Sequence, residues 1–170
     1  IVSMFASHVT RLAKVIEACG ENNKKVVIEG RSMRNNIDIC IAAGLLKPKE
    51  GVVIRAEDMG SYAPDRIVIL ATGAQGDEFA AMMRMATKTH KTVHLLPTDT
   101  VVLSSSIIPG NERSVEKLKD NIARHGAKIV HYRTSEMYIH STGHGNRAEL
   151  EWLHKKVKPT FFIPTHGNHY

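Results

Sequence analysis

Three histidines near the end of the chain are placed for chemistry on a phosphate or a metal. His140 follows the apolar pair Tyr138-Ile139. His144 sits in the small-residue loop Ser141-Thr142-Gly143-His144-Gly145-Asn146. His166 closes the run Phe161-Phe162-Ile163-Pro164-Thr165. Both apolar runs have the composition of short strands, so two strand ends each deliver an imidazole into a loop. Asn146 and Glu149 have the spacing of a capping box, which puts His144 just ahead of a helix amino end. Such an end favours an anion, and a charged histidine there can donate a proton. His166 has the position of a metal ligand, but zinc takes several ligands and the chain has no His-x-His-x-Asp-His cluster. Taken singly, a loop histidine is more often a structural or surface residue.

Three other loops share one grammar: Gly30-Arg31-Ser32, Gly73-Ala74-Gln75-Gly76, and Ser104-Ser105-Ser106 running to Pro109-Gly110-Asn111. Each follows a strand and leads to a helix. At the carboxyl edge of an open parallel sheet, such loops line the ligand crevice, and helix amino ends favour phosphate. Glycine admits close backbone approach, while Arg31, Ser32, Gln75, Ser105 and Ser106 supply polar groups. Turns use Gly and Ser for purely local reasons too. No Gly-x-Gly-x-x-Gly fingerprint or P-loop is present, which disfavours a bound mononucleotide cofactor.

The elements that must position these loops alternate in type. Ser7 can cap a helix with Val9, Leu12, Val15, Ile16 and Cys19 on one face; Lys24 to Glu29 reads as a strand. Ser32 can cap a second helix with Met33, Ile37 and Ile41 inward, and Val52 to Arg55 is a candidate strand. Ile67 to Thr72 is apolar throughout, as a strand covered on both faces would be. A helix over Glu78 to Ala86 follows, carrying Phe79, Met82, Met83 and Met85. Val93 to Leu96 and Val101 to Ser105 read as strands around the turn Pro97-Thr98-Asp99. Asn111 caps a helix with Val115, Leu118 and Ile122 inward, and Lys128 to Tyr132 is the next strand. The final helix, from Asn146, turns Leu150, Leu153 and Val157 inward. This alternation predicts an α/β, Rossmann-like fold with a mainly parallel sheet and helices on both faces.

With 170 residues, 42% of them hydrophobic and 24% charged, the chain has the composition of an ordinary globular protein. No run is long enough to span a bilayer. The net charge of +6 and a pI near 9.4 favour polyanions only weakly. Cys19 and Cys40 fall on apolar helix faces and read as packing residues, in keeping with a reducing cytoplasm. The opening Ile1-Val2-Ser3-Met4-Phe5 lacks an initiator Met, so a fragment of a longer protein is expected.

Five ordered motifs resemble the ribonuclease J family of β-CASP, metallo-β-lactamase-fold nucleases. They are Gly30-Arg31-Ser32-Met33, Thr72 to Asp77, Leu103 to Ser106 with Ile108 to Glu112, His140-Ser141-Thr142-Gly143-His144, and Phe162 to Gly167. The likeness begins at Phe5-Ala6-Ser7 and covers nearly the whole chain. Ala74 stands where that family often has Ser, Gly145-Asn146 replaces Ala-Ser, and Asn168 replaces Glu. The resemblance implies a cytoplasmic RNA-processing enzyme, a 5′-to-3′ exonuclease and endonuclease using two zinc ions. Residues 1–136 would be the β-CASP domain and residues 137–170 a returning metallo-β-lactamase segment. His144 would face the scissile phosphate and His166 would ligate zinc. His140 with Ser141, Thr142 and Gly143 would border the pocket for the terminal nucleotide and its 5′ phosphate. Arg31, Ser32, Gly73, Gln75, Gly76, Ser105 and Ser106 would line the RNA groove. The partners implied are RNA, the missing metallo-β-lactamase half, and a second copy in a homo-oligomer. The remaining zinc ligands would lie outside the chain. A stand-alone, non-catalytic RNA- or nucleotide-binding module, or another β-CASP nuclease acting on RNA 3′ ends or DNA, are the alternatives.

Overall fold

The computed structural model describes residues 1–163, so the expected zinc ligand His166 and its neighbours from Pro164 onward lie outside the described residues. Six strands form one parallel sheet: β1 Val2–Ser3, β2 Lys25–Glu29, β3 Val53–Ile54, β4 Ile67–Ala71, β5 Thr100–Leu103 and β6 Lys128–His131. Their order is β3-β2-β4-β1-β5-β6. The helices are α1 Val9–Glu21, α2 Arg31–Ala42, α3 Ala81–Ala86, α4 Glu112–Ala123 and α5 Arg147–Val157. The expected Rossmann-like arrangement is the one found.

Alternation along the strands divides the core in two. Val26, Ile28 and Leu70 face Leu12 and Ile16 of α1 and Met33 and Ile37 of α2. Val27, Ile69, Val101 and Leu103 face Met82 and Met85 of α3 and Leu118 and Ile122 of α4. The methionines fill the space under a helix of only six residues, and both cysteines are buried packing residues with free thiols. From β1 the chain passes through α1 towards β2; from β5 it passes through α4 towards β6, on the opposite face. The strand order therefore reverses between β1 and β5, which opens a crevice at the carboxyl ends of those strands.

Several sequence expectations need correction. Tyr138 to His140 and Phe161 to Ile163 are not strands. Tyr138, Phe161 and Ile163 are more than four-fifths exposed, and local β propensity without a sheet to join does not make a strand. Val93 to Leu96 also joins no ladder. The amide of Val93 donates to His90 Nδ1 (3.2 Å), and Val93 and Leu95 simply plug into the core. Helix α2 starts at Arg31 behind Gly30, so Ser32 lies inside the first turn, and Ile41 is exposed rather than inward. The third helix begins at Ala81, not Glu78, leaving Phe79 86% exposed. Ser7 gives no cap to α1. Asn111 occupies the cap position of α4, but its amide is turned to Gln75 instead. The capping box of Asn146 and Glu149 is present as expected, yet Leu150, Leu153 and Val157 are exposed.

Gly76 shows how tightly the β4 loop is set. Its φ is 76°, and a Cβ there would run into the backbone carbonyl of Ser114 in the first turn of α4. Gly76→Ala should therefore destabilise the chain by about 2 kcal/mol or more in urea unfolding. Gly60→Ala, with open space around it, should change stability by less than about 0.5 kcal/mol. Equal effects of the two substitutions would show that the loop is not held against α4.

Candidate nucleic-acid interface

The loops that end β4 and β5 meet across the end of β1, and one buried amide joins them. Gln75 Nε2 donates to Ser105 Oγ (3.2 Å) and to the Ser106 carbonyl (2.8 Å). Gln75 Oε1 accepts from the amide of Ile108 (2.9 Å) and from Asn111 Nδ2 (3.4 Å). Gln75 and Ser105 are thus committed to shaping the crevice wall. Gly73 and Gly76 make the turn that delivers Gln75, closed by the Gly76 amide on the Gly73 carbonyl (3.1 Å). Arg31 and Ser32 stand exposed at the carboxyl end of β2, on the same edge. Among the described residues no hydrogen bond ties them to the other loops.

A second set of contacts brings the trailing segment onto this edge. Arg11 lies in the first turns of α1. Its Nη1 donates to the Ser104 carbonyl (3.0 Å) and to Ser104 Oγ (3.2 Å), and lies 3.0 Å from His140 Nδ1. Ser104 Oγ donates in turn to the Ile139 carbonyl (2.8 Å). A guanidinium has no acceptor, so Nδ1 of His140 must accept and the ring proton sits on Nε2. That Nε2–H is buried and has no partner among the described residues. Ser3 Oγ and His8 Nδ1, from the end of β1 and the loop after it, are likewise buried without a partner. The Tyr132 ring meets His140 edge-on at 5.9 Å. Beyond His140, residues Ser141, Thr142, Gly143 and His144 are exposed. The His144 amide donates to Thr142 Oγ1 (3.2 Å), and the capped end of α5 follows directly. The expected juxtaposition of His144 with His166 falls partly outside the described residues.

Residues 1–122 match the sequence profile of the β-CASP domain of ribonuclease J. The chain belongs to the ribonuclease J family. It is 37% identical to ribonuclease J 1 of Streptococcus pyogenes serotype M3, across 99% of this chain and 30% of that protein. Against ribonuclease J of Corynebacterium glutamicum it is 36% identical, across 98% of the chain and 23% of the relative. Against ribonuclease J2 of Bacillus subtilis the identity is 31%, across 99% and 30%. The chain spans less than a third of the length of each of these relatives.

Within the ribonuclease J fold, sequence reading found the loops but missed the residues that join them. No local motif marks Arg11, His8 or Tyr132 as site residues, and Ser104 stands out only as part of a serine run. The signal for Arg11 was present: an Arg near the start of a helix that leaves a strand must lie near the carboxyl edge. The strand itself, β1, has two residues and gave no periodic pattern. Among the described residues no helix is long and apolar enough to cross a membrane.

Burial sets the ionisation of the histidines packed in and around the edge. It lowers the pKa of His140 below the ordinary 6.5; the Arg11 and His8 charges act the same way, and the Ser104 backbone opposes them. His8 is lowered by burial and then by Arg11, and His131 by burial and then by Lys119 and Arg133. His90 is also lowered, chiefly by burial and against the pull of Glu29. Its Nδ1 accepts the Val93 amide, so its Nε2–H donates to the Glu29 carboxylate at 3.3 Å as a neutral ring. All four rings resist protonation in the folded chain more than in the unfolded one. Their effect is absent well above pH 6.5 and costs stability as pH falls through 6.5 towards the folded values. The thermal midpoint should fall between pH 7.5 and pH 5.5. A midpoint that stays level or rises on acidification would contradict the buried neutral rings.

Proposed function

We propose that this chain is the RNA-clamping β-CASP part of a cytoplasmic ribonuclease J-like phosphodiester hydrolase, a 5′-to-3′ exonuclease and endonuclease of RNA processing and decay. The observation that carries the reading is the unpartnered Nε2–H of His140, held beside Arg11 at the carboxyl edge where the strand order reverses. Hydrogen-bond donors buried without a protein acceptor at such an edge suit a phosphate. In this reading the 5′ phosphate of RNA lies against His140 and the small residues Ser141, Thr142 and Gly143. The Gly73–Gly76 turn and the Ser105–Ser106 stretch, locked together by Gln75, give the groove its shape. Arg31 and Ser32 extend it along the edge with an exposed charge and hydroxyl. His144, on the exposed loop ahead of α5, faces the scissile phosphate and can pass a proton to the departing oxygen.

Two zinc ions belong to the same proposal for the intact protein, where they would activate water on the phosphodiester. The described residues do not fit a zinc site: no group of three or more His, Cys, Asp or Glu among them is placed to hold an ion. His166 is the one zinc ligand proposed from this chain. Helix α5 supports a further half of the enzyme. Leu150, Leu153 and Val157 share one of its faces, and all three are exposed. We infer that residues 137–170 return to a metallo-β-lactamase domain that covers this face, and that the intact protein is a homo-oligomer.

Two outcomes test the proposal. The 170-residue chain alone should bind RNA weakly, with an affinity that falls steeply with salt, and should neither retain zinc nor cleave. In the intact protein, His144→Ala should lower kcat by about 10²–10⁴-fold with little loss of RNA affinity. Manganese- or zinc-dependent cleavage by the isolated chain, or full activity of His144→Ala, would refute these assignments.

A further inference from the structure

We propose that Arg11 is a positioning residue for the phosphate end of the RNA site, acting through His140 rather than on the reacting atoms. The inference rests on the ribonuclease reading and adds the device that makes His140 a donor. Neutral imidazole has two tautomers, and only the one protonated on Nε2 offers an N–H at the unpartnered buried position. The choice is made by Arg11, whose Nη1 at 3.0 Å can only donate to Nδ1. The same Nη1 is fixed by two contacts to Ser104, so its position is set by the end of β5 and not by the loop it serves. Ser104 Oγ then ties down the Ile139 carbonyl, one residue before His140. A single guanidinium thus couples α1, the end of β5 and the segment that goes on to His144.

The charged and titratable groups facing His140 come from every side. Arg11 and His8 approach from α1 and the loop before it. His131 lies at the end of β6, with Tyr132 against the ring and Arg133 over the Tyr132 ring. None of the groups from β6 touches Nδ1, so Arg11 is the donor that sets the tautomer, against the Ser104 backbone, which favours a protonated ring. Without it, the ring is free to place its proton on Nδ1 and turn a lone pair on Nε2 towards the phosphate. Acidification should conceal that defect, because an imidazolium carries a proton on Nε2 whichever neutral tautomer it came from.

Nitrogen NMR on the 170-residue chain reads the tautomer directly. His140 should be an Nε2–H tautomer in the natural chain. In Arg11→Met it should become a mixture, with an apparent pKa moved up towards the ordinary 6.5 as the Arg11 charge is lost. In the intact protein, Arg11→Met should raise KM for a 5′-monophosphorylated RNA roughly tenfold near pH 8, with a smaller change in kcat. The KM defect should shrink near pH 6, and KM for a 5′-hydroxyl RNA should stay unchanged. Arg11→Gln, whose amide can present either its NH2 or its carbonyl to Nδ1 and so no longer enforces an acceptor there, carries the test if Arg11→Met does not fold: the tautomer should again be a mixture, and the apparent pKa and KM should rise. An active natural protein whose Arg11 variants keep the same tautomer, or the same KM at both pH values, overturns the proposal alone. An intact natural protein that does not act on RNA overturns the ribonuclease reading and this proposal with it.

Discussion

A guanidinium that can only donate is the constraint on which the site depends. Arg11 meets three acceptors with one nitrogen, and those acceptors belong to stretches of chain more than ninety residues away. A charged group taken into a part-buried position is costly unless its donors are satisfied. Here the satisfying atoms are the ones that need fixing: the Ser104 carbonyl and hydroxyl at the end of β5, and His140 Nδ1 on the trailing segment. Hydrogen-bond direction then propagates. The Arg11 donor fixes an acceptor on His140, and that acceptor leaves a donor on the opposite side of the ring.

The rest of the architecture explains why this point of attachment matters. Helices α1 to α4 each bury an apolar face against the sheet. Helix α5 buries no residue among those described, and residues 137–146 join no ladder. The trailing segment is therefore located by polar contacts at the carboxyl edge rather than by packing. Those contacts sit where the strand order reverses, so the crevice that the topology opens is the place where the segment is pinned. Gln75 performs the matching task on the other wall, making four hydrogen bonds that join the β4 and β5 loops around β1.

Much of this was legible from the residues. Strands rich in Val and Ile, helices with a regular apolar face, and Gly or Ser loops after strands gave the Rossmann-like class. The order of motifs gave the family. Local signals failed where a partner decides the outcome. Val93 to Leu96 alternates like a strand, but the amide of Val93 is taken by His90. Phe79 reads as part of the third helix, yet that helix begins two residues later, at Ala81, and leaves it in solvent. Leu150, Leu153 and Val157 have helical spacing, but spacing does not say whether anything covers the face. The same limit applied to the site: Arg11 and His140 are 129 residues apart, and no local pattern announces their contact. β1, only two residues long, became a strand through neighbours on both sides.

Hydrogen exchange read by mass spectrometry, with and without a 5′-monophosphorylated oligoribonucleotide, tests the central claim most directly. If the carboxyl edge between β1 and β5 receives the phosphate, protection should appear in residues 72–76, 104–108 and 139–145. Protection confined to the opposite edge, around residues 22–25, 97–100 and 126–128 where the strands begin, would contradict the account, as would the absence of any protected segment at saturating oligonucleotide.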